Sequence, residues 1–249
     1  MKLNISSSVV LSALLTATVV SNQAVAAEPE NTLTFNIGAT TDYRFRGISQ
    51  SSFKPAVQGG ADFSHKSGAY VGVWGSNVNW VKDFAGATDG SLEVDLYGGY
   101  KGELATDLSF DVGLIGYIYP SNNAATNANT TEIYAALTYG VVTAKYSRSV
   151  TNFVANPNSS GSQYLELAAT FDLGNGFSVT PHIGRQMIPN QTTSGDYTDY
   201  SLTLSKDFGN GISASVSAVG TDAKDDFYKV GSVANLGKSG LFAGLKYSF

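Results

Sequence analysis

Ionisable side chains recur at every second position in several stretches of this 249-residue chain. Asp42, Arg44 and Arg46 are spaced by two, and so are Glu93 and Asp95. Asp62, Lys101, Asp111, Glu132, Lys145, Glu166, His182 and Lys246 occupy the same kind of position in segments of their own, each with an apolar residue on at least one side. On a β-strand, a spacing of two projects side chains onto one face. The chemistry this permits is electrostatic. A face of mixed charge either selects ions and small polar solutes or pairs internally and fills the space it encloses. Arg44 and Arg46 pose the choice most sharply. They can draw anions to a constriction, or pair with acids such as Glu93 and Asp95. Acids are in excess and charges away from bulk water are usually paired, so paired arginines are the expectation.

Covalent chemistry finds little support. The chain has two histidines, His65 and His182. A lipase-type site needs a serine and an acid placed around a histidine. His65 falls in a short turn, His182 falls on the polar parity, and neither has that arrangement in the sequence. No His/Asp/Glu cluster has metal-ligand spacing. No phosphate-binding or dinucleotide fingerprint occurs, and glycine pairs such as Gly98-Gly99 lie inside strand patterns. Cysteine is absent, which excludes disulfides and thiolate sites. Neither catalysis, nor a cofactor, nor a metal is expected.

The elements that carry these charges must be strands. From Leu33 to Arg46, Leu33, Phe35, Ile37, Ala39, Tyr43 and Phe45 share one parity, while Asn36, Thr40, Asp42, Arg44 and Arg46 share the other. Such a strand is long for a soluble sandwich and near the length that crosses a bilayer at a tilt. Further strands are predicted over 56–64, 69–78, 92–102, 108–119, 132–139, 142–148, 164–172, 177–186, 200–206, 212–220 and 241–249, about twelve in all. The facing of 69–78 is ambiguous, because Tyr70, Trp74 and Val78 compete with Val71 and Val73. Pro181 sits inside a strand, where it cannot donate to a ladder, and predicts a bulge or local defect.

The connections alternate long and short. Turns such as Gly174-Asn175-Gly176 and Gly209-Asn210-Gly211 suit tight antiparallel joins, whereas stretches such as 120–131 and 221–240 are long. That rhythm fits an up-and-down transmembrane barrel with short periplasmic turns, long outer loops and an even strand number. It does not fit a Greek-key sandwich. The last strand agrees: Leu241, Ala243, Leu245, Tyr247 and Phe249 form one apolar face. Leu245, Tyr247 and Phe249 resemble the terminal signal read by the outer-membrane assembly machinery. At the other end, Lys2, the apolar run 9–20 and Ala24-Val25-Ala26 read as a cleaved signal peptide over residues 1–26. Residues 27–249 then form a single domain in the outer membrane of a Gram-negative bacterium, in contact with lipid and lipopolysaccharide.

Composition is consistent with this. Charged residues are 14% of the chain and aromatics 12%, with 27 glycines and 14 tyrosines. Soluble domains carry about 25% charged residues. The mean hydropathy of −0.03 and the absence of an 18-residue apolar run after residue 26 exclude a helical span. The net charge of −5 gives no reason to expect nucleic acid as a partner.

The segment Thr41–Ser51 (TDYRFRGISQS) resembles the opening motif of the TorF porin family, also called Gcw_chp. WGSNV at 74–78, EVDLYGGY at 93–100, DVGLIGYIYP at 111–120 and EIY at 132–134 extend the resemblance in order along the chain. The resemblance implies an outer-membrane β-barrel with a porin role, and no catalytic motif or defined ligand. The expected function is passive diffusion of a small polar solute or ion. The alternatives are a non-conducting structural or receptor-like barrel whose outer loops bind a partner, and, third, an outer-membrane hydrolase.

Overall fold

The computed structural model describes residues 30–249; the signal-peptide segment lies outside them. The chain runs as β1 (Asn31–Thr40), β2 (Arg44–Phe45), β3 (Ile48–Ser49), β4 (Ala56–His65), β5 (Ala69–Asn77), α1 (Trp80–Asp83), β6 (Leu92–Ala105) and β7 (Leu108–Ile118). It continues as β8 (Thr130–Tyr139), β9 (Val142–Ser149), β10 (Gln163–Ala169), β11 (Phe171–Gly174), β12 (Phe177–Met187), β13 (Tyr197–Gly209), β14 (Ile212–Thr221), α2 (Asp225–Tyr228) and β15 (Gly240–Ser248). Both helices are single turns, and among the described residues none is long and apolar enough to cross a membrane; the strands cross instead.

Every strand except β2 and β3 belongs to one antiparallel sheet that closes on itself. β15 lies between β14 and β1, with Ile37 opposite Tyr247 and Ala39 opposite Leu245. Phe35 and Phe249 exchange backbone hydrogen bonds of 2.8 and 2.9 Å at this seam. β10 and β11 are one stave interrupted at Thr170, so the barrel has twelve staves. Closure is what the surroundings demand: in hydrocarbon an open strand edge leaves N–H and C=O groups with no partner.

The interruption traces to proline. Ala168 pairs with His182 and Phe171 with Val179, which puts Pro181 opposite the end of β10. β12 itself stays in register with β13 through Pro181 and Leu202. The defect that Pro181 causes therefore falls in the neighbouring stave and not as a bulge in its own.

Alternation sorts side chains by solvent. Leu33, Phe35, Ile37, Leu96, Leu114, Leu245, Tyr247 and Phe249 are exposed on the outer wall, whereas Glu93, Asp95, Asp111 and Glu132 are buried inside. Arg148 and Arg185 share the outward parity, but they lie at the long-loop ends of β9 and β12, where a charge on the lipid face costs least. In β5 the ambiguity resolves cleanly: Val71 and Val73 face out and Trp74 is buried within.

The first strand differs from expectation. It ends at Thr40 rather than Arg46, and residues 42–51 turn into the barrel as the β2–β3 hairpin. Asp42, Arg44 and Arg46 are thus on a loop and not on a stave. Tyr43 and Phe45, which alternation places on the outer wall, are 3% and 8% exposed inside it. They pack with Ile48, Trp80, Phe153, Tyr197, Tyr228 and Leu236 in an apolar core at the long-loop end. Residues 225–236, from the longest loop, contribute to that core through Tyr228 and Leu236. Burial of these rings away from water drives the hairpin inward.

Candidate functional site: a hairpin latched into a polar lumen

The hairpin turns on Arg46 and Gly47, which have φ of 49° and 80°. Positive φ at both central residues is the type I′ geometry that matches strand twist. Glycine suits its position twice over. A Cβ on Gly47 would stand 2.6 Å from Thr221 Cγ2 and 2.8 Å from Asp199 Cβ on the barrel wall. Gly47→Ala should therefore lift the turn off the wall, which added conductance of the folded protein in a planar bilayer would reveal. Unchanged conductance would show that the wall yields instead.

Two arginines fasten the hairpin. Arg44 Nε meets Asp42 Oδ2 at 2.5 Å. Its Nη1 donates to the carbonyls of Gly47 (2.8 Å), Leu236 (3.2 Å) and Lys238 (3.0 Å), which ties the hairpin to the segment before β15. Asp42 Oδ1 in turn accepts from Ser49 Oγ at 2.6 Å and Ser51 Oγ at 3.2 Å.

Arg46 reaches across the lumen. It forks onto Glu132 of β8, with Nη2–Oε2 at 2.6 Å and Nη1–Oε1 at 3.0 Å, and donates to Gln186 Oε1 of β12 at 2.9 Å. The guanidinium also lies over the rings of Tyr164 (4.2 Å), Phe45 (4.6 Å) and Phe153 (5.6 Å). Burial pulls its pKa down, but Glu132 and the surrounding tyrosines outweigh burial and leave it above the ordinary value. The pairing of the arginines is thus with Asp42 and Glu132, not with Glu93 and Asp95.

Glu93 and Asp95 sit on β6, 1% and 0% exposed. Tyr43 of the hairpin donates to Glu93 Oε1 at 3.1 Å, and its own hydroxyl is pushed well up in pKa, first by burial and then by Glu93 and Asp95. Glu93 Oε2 and both Asp95 oxygens have no hydrogen-bond partner among the described residues.

From the level of the hairpin toward the short turns, tyrosines and acids alternate around the wall. Tyr97 donates to Asp62 and Tyr70 to Asp111, each at 2.5 Å, and the Tyr70 and Tyr134 hydroxyls touch. Lys101 lies over Tyr70 at 5.5 Å and Lys145 over Tyr134 at 4.4 Å, with Lys145 opposite Glu166 in the ladder. His182 bridges Glu166 (3.1 Å) and Asp199 (3.5 Å), and Tyr164 donates to Asp199 at 2.9 Å. His65 closes β4, and its imidazole bonds the Ser67 hydroxyl at 2.8 Å. A cavity of about 130 Å³, lined by Asn36, Gln58, Ser178, Ser213, Ser217 and Lys246 among others, opens beneath Asp42 and Arg44.

Sequence reasoning missed Asp199, whose position lies one residue before the predicted strand 200–206. It also left out the inward tyrosines: Tyr97, Tyr134 and Tyr164 share the polar parity of Asp95, Glu132 and Glu166 but carry no charge to mark them. A tyrosine beside an acid two or more strands away gives no signal in the chain itself.

A twelve-stave closed sheet, apolar outside and lined within by paired charges and tyrosine hydroxyls, defines a transmembrane β-barrel of the outer-membrane type. Residues 23–249 match the family Gcw_chp, described as a bacterial protein of unknown function, and the chain belongs to that family. Among solved structures it is similar to the KdgM porin, with a TM-score of 0.57 at 9% identity over 87% of this chain and 99% of that one. It is also similar to the NanC porin, with a TM-score of 0.56 at 11% identity over 88% and 99%. At these identities the likeness is one of fold. No curated protein sequence matches the chain.

Proposed function

We propose that this protein is an outer-membrane channel for passive diffusion of small polar solutes, held shut at its long-loop end by the hairpin 42–51. The observation that carries the reading is the inner wall: ionisable and hydroxyl side chains from nearly every stave face one lumen. A barrel that served only as an anchor has no need of so many buried charges, each of which is costly unless paired. The porin fold of its structural neighbours supports the same reading. Among the described residues, His65 meets the Ser67 hydroxyl in an exposed turn with no acid bonded to its ring. His182 meets two acids and a tyrosine but no serine. Neither completes a serine–histidine–acid triad, which favours transport over hydrolysis.

The wall is acid-rich: Asp62, Glu93, Asp95, Asp111, Glu132, Glu166 and Asp199 face Arg46, Lys101, Lys145, His182 and Lys246. In a salt gradient across a planar bilayer, the reversal potential should show preference for cations, and the preference should fade as salt screens the wall. An anion-selective current would refute the assignment. The apolar core at the outer mouth favours a second reading, a non-conducting barrel whose loops bind a partner. Absence of current from folded wild type and from hairpin variants alike would decide for it.

A further inference from the structure

We propose that solute crosses the barrel down one side of the lumen, a hydroxyl-lined lane along β12–β15, β1 and β4, and that Lys246 sets ionic selectivity there. This rests on the channel reading and adds to it a route and a specificity-determining residue. The cavity of about 130 Å³ marks the lane. It reaches from Asp42 and Arg44 at the hairpin to Gly176 and Asp207 beside two of the short turns. Its walls are the hairpin, one short turn and six staves that are contiguous in the sheet. Among the described residues, none from β5 to β10 lines it.

Side-chain size divides the lumen. The lane carries Asn36 and Gly38 of β1, Ser205 of β13, Ser213 and Ser215 of β14 and Gly244 of β15, all half-buried. On the other half, Tyr97, Tyr134, Ser147, Tyr164 and Glu166 face inward and are buried. Small side chains leave space on their own side, and hydroxyls at its edge hold water without a charge. The tyrosines and acids across the barrel bond one another instead, Tyr97 with Asp62 and Tyr70 with Asp111. An ion entering that half would lose its water against groups already paired, which is costly.

Lys246 differs from the other lysines of the inner wall. Lys101 and Lys145 lie over the rings of Tyr70 and Tyr134. Lys246 lines the cavity, with Gly38 opposite it on β1 and Ser213 opposite it on β14. Neither neighbour is bulky enough to cover it. Two more cations touch the cavity. Arg44 belongs to its roof, paired with Asp42. Lys206 shares the outward parity of Leu202 and Leu204 and donates to the Asn175 carbonyl in a short turn. The wall as a whole draws cations, and Lys246 opposes that attraction where ions pass closest to it.

The chain has no cysteine, so single introduced cysteines report where water reaches. In the folded full-length barrel in detergent micelles, a cationic methanethiosulfonate should label Asn36→Cys and Ser215→Cys at least about tenfold faster than Ala136→Cys and Ser147→Cys, which react only after local opening. Mass spectrometry reads the labelling and needs no current; gel mobility confirms that each variant is folded. Selectivity is then measured in planar bilayers, in whichever of the Gly47→Ala and Arg46→Gln barrels conducts. There Lys246→Gln should raise the cation-to-anion permeability ratio about twofold or more, and Lys145→Gln, on the sealed half, should raise it less. Equal labelling of the two halves, or faster labelling of Ala136→Cys and Ser147→Cys, overturns the lane whether or not the barrel conducts. An unchanged ratio in Lys246→Gln overturns the role of Lys246. No current from wild type or either hairpin variant, with labelling as expected, refutes the channel reading itself and the route with it.

Discussion

Arg46→Gln should raise the open fraction of the barrel in planar bilayers by two orders of magnitude or more. Among the described residues, Arg46 is the side chain that hydrogen-bonds the hairpin to β8 and β12 together. Glutamine keeps some hydrogen bonding but leaves Glu132, 1% exposed, as a buried charge without its partner. Breaking a buried pair from one side costs about 3–5 kcal/mol, and 3 kcal/mol already shifts a two-state equilibrium more than about 100-fold. Arg46→Lys keeps the charge but loses the fork, so it should fall between. The double variant Arg46→Gln, Glu132→Gln leaves no orphaned charge and should conduct less than Arg46→Gln alone. Equal currents from wild type and Arg46→Gln, in protein shown to be folded, would remove Arg46 as the latch.

The staves were legible because lipid outside and polar groups inside impose a period of two over long runs. The predicted strand 241–249 is observed at 240–248, and 177–186 at 177–187. The same period hid the hairpin. Leu33 to Arg46 alternates throughout, and alternation alone cannot say that the chain leaves the wall after Thr40. The clue lay in Arg46-Gly47, a two-residue turn, followed by Ser49 and Ser51, whose hydroxyls donate to Asp42. Parity also misled for tyrosine. Its ring is apolar enough to join an outward face by pattern, yet Tyr43 turns inward, where its hydroxyl finds Glu93; Tyr97 already shares the polar parity of Glu93 and Asp95 and donates to Asp62. Partner choice was beyond the sequence: Arg46 selects Glu132 over Glu93 because the hairpin enters from between β1 and β4 and points across the lumen.

Asp95→Asn should stabilise the barrel, although it alters one of the acids that best mark the polar face. Asp95 is 0% exposed and neither oxygen has a partner among the described residues. Glu93 stands two residues away on the same face of β6, with one oxygen likewise unpaired and the other held by Tyr43. Two carboxylates in a buried site repel, and no arginine compensates them, because Arg44 and Arg46 are engaged with Asp42 and Glu132. The neutral amide has nearly the same shape, removes the repulsion and adds two donors, one of which can meet Glu93. The expected gain is about 2 kcal/mol or more, since a buried charged group without a partner costs more than a neutral one. Urea unfolding from lipid vesicles at neutral pH, with reversibility checked from both directions, measures it. A further consequence separates this from a general effect on the wall. Tyr43 binds Glu93 from the hairpin, so relief of the pair should hold the hairpin more firmly, and Asp95→Asn should lower the open fraction of the Arg46→Gln barrel. A lower unfolding midpoint, or an unchanged one together with an unchanged open fraction, would show that the pair is not a charged defect in the docked state.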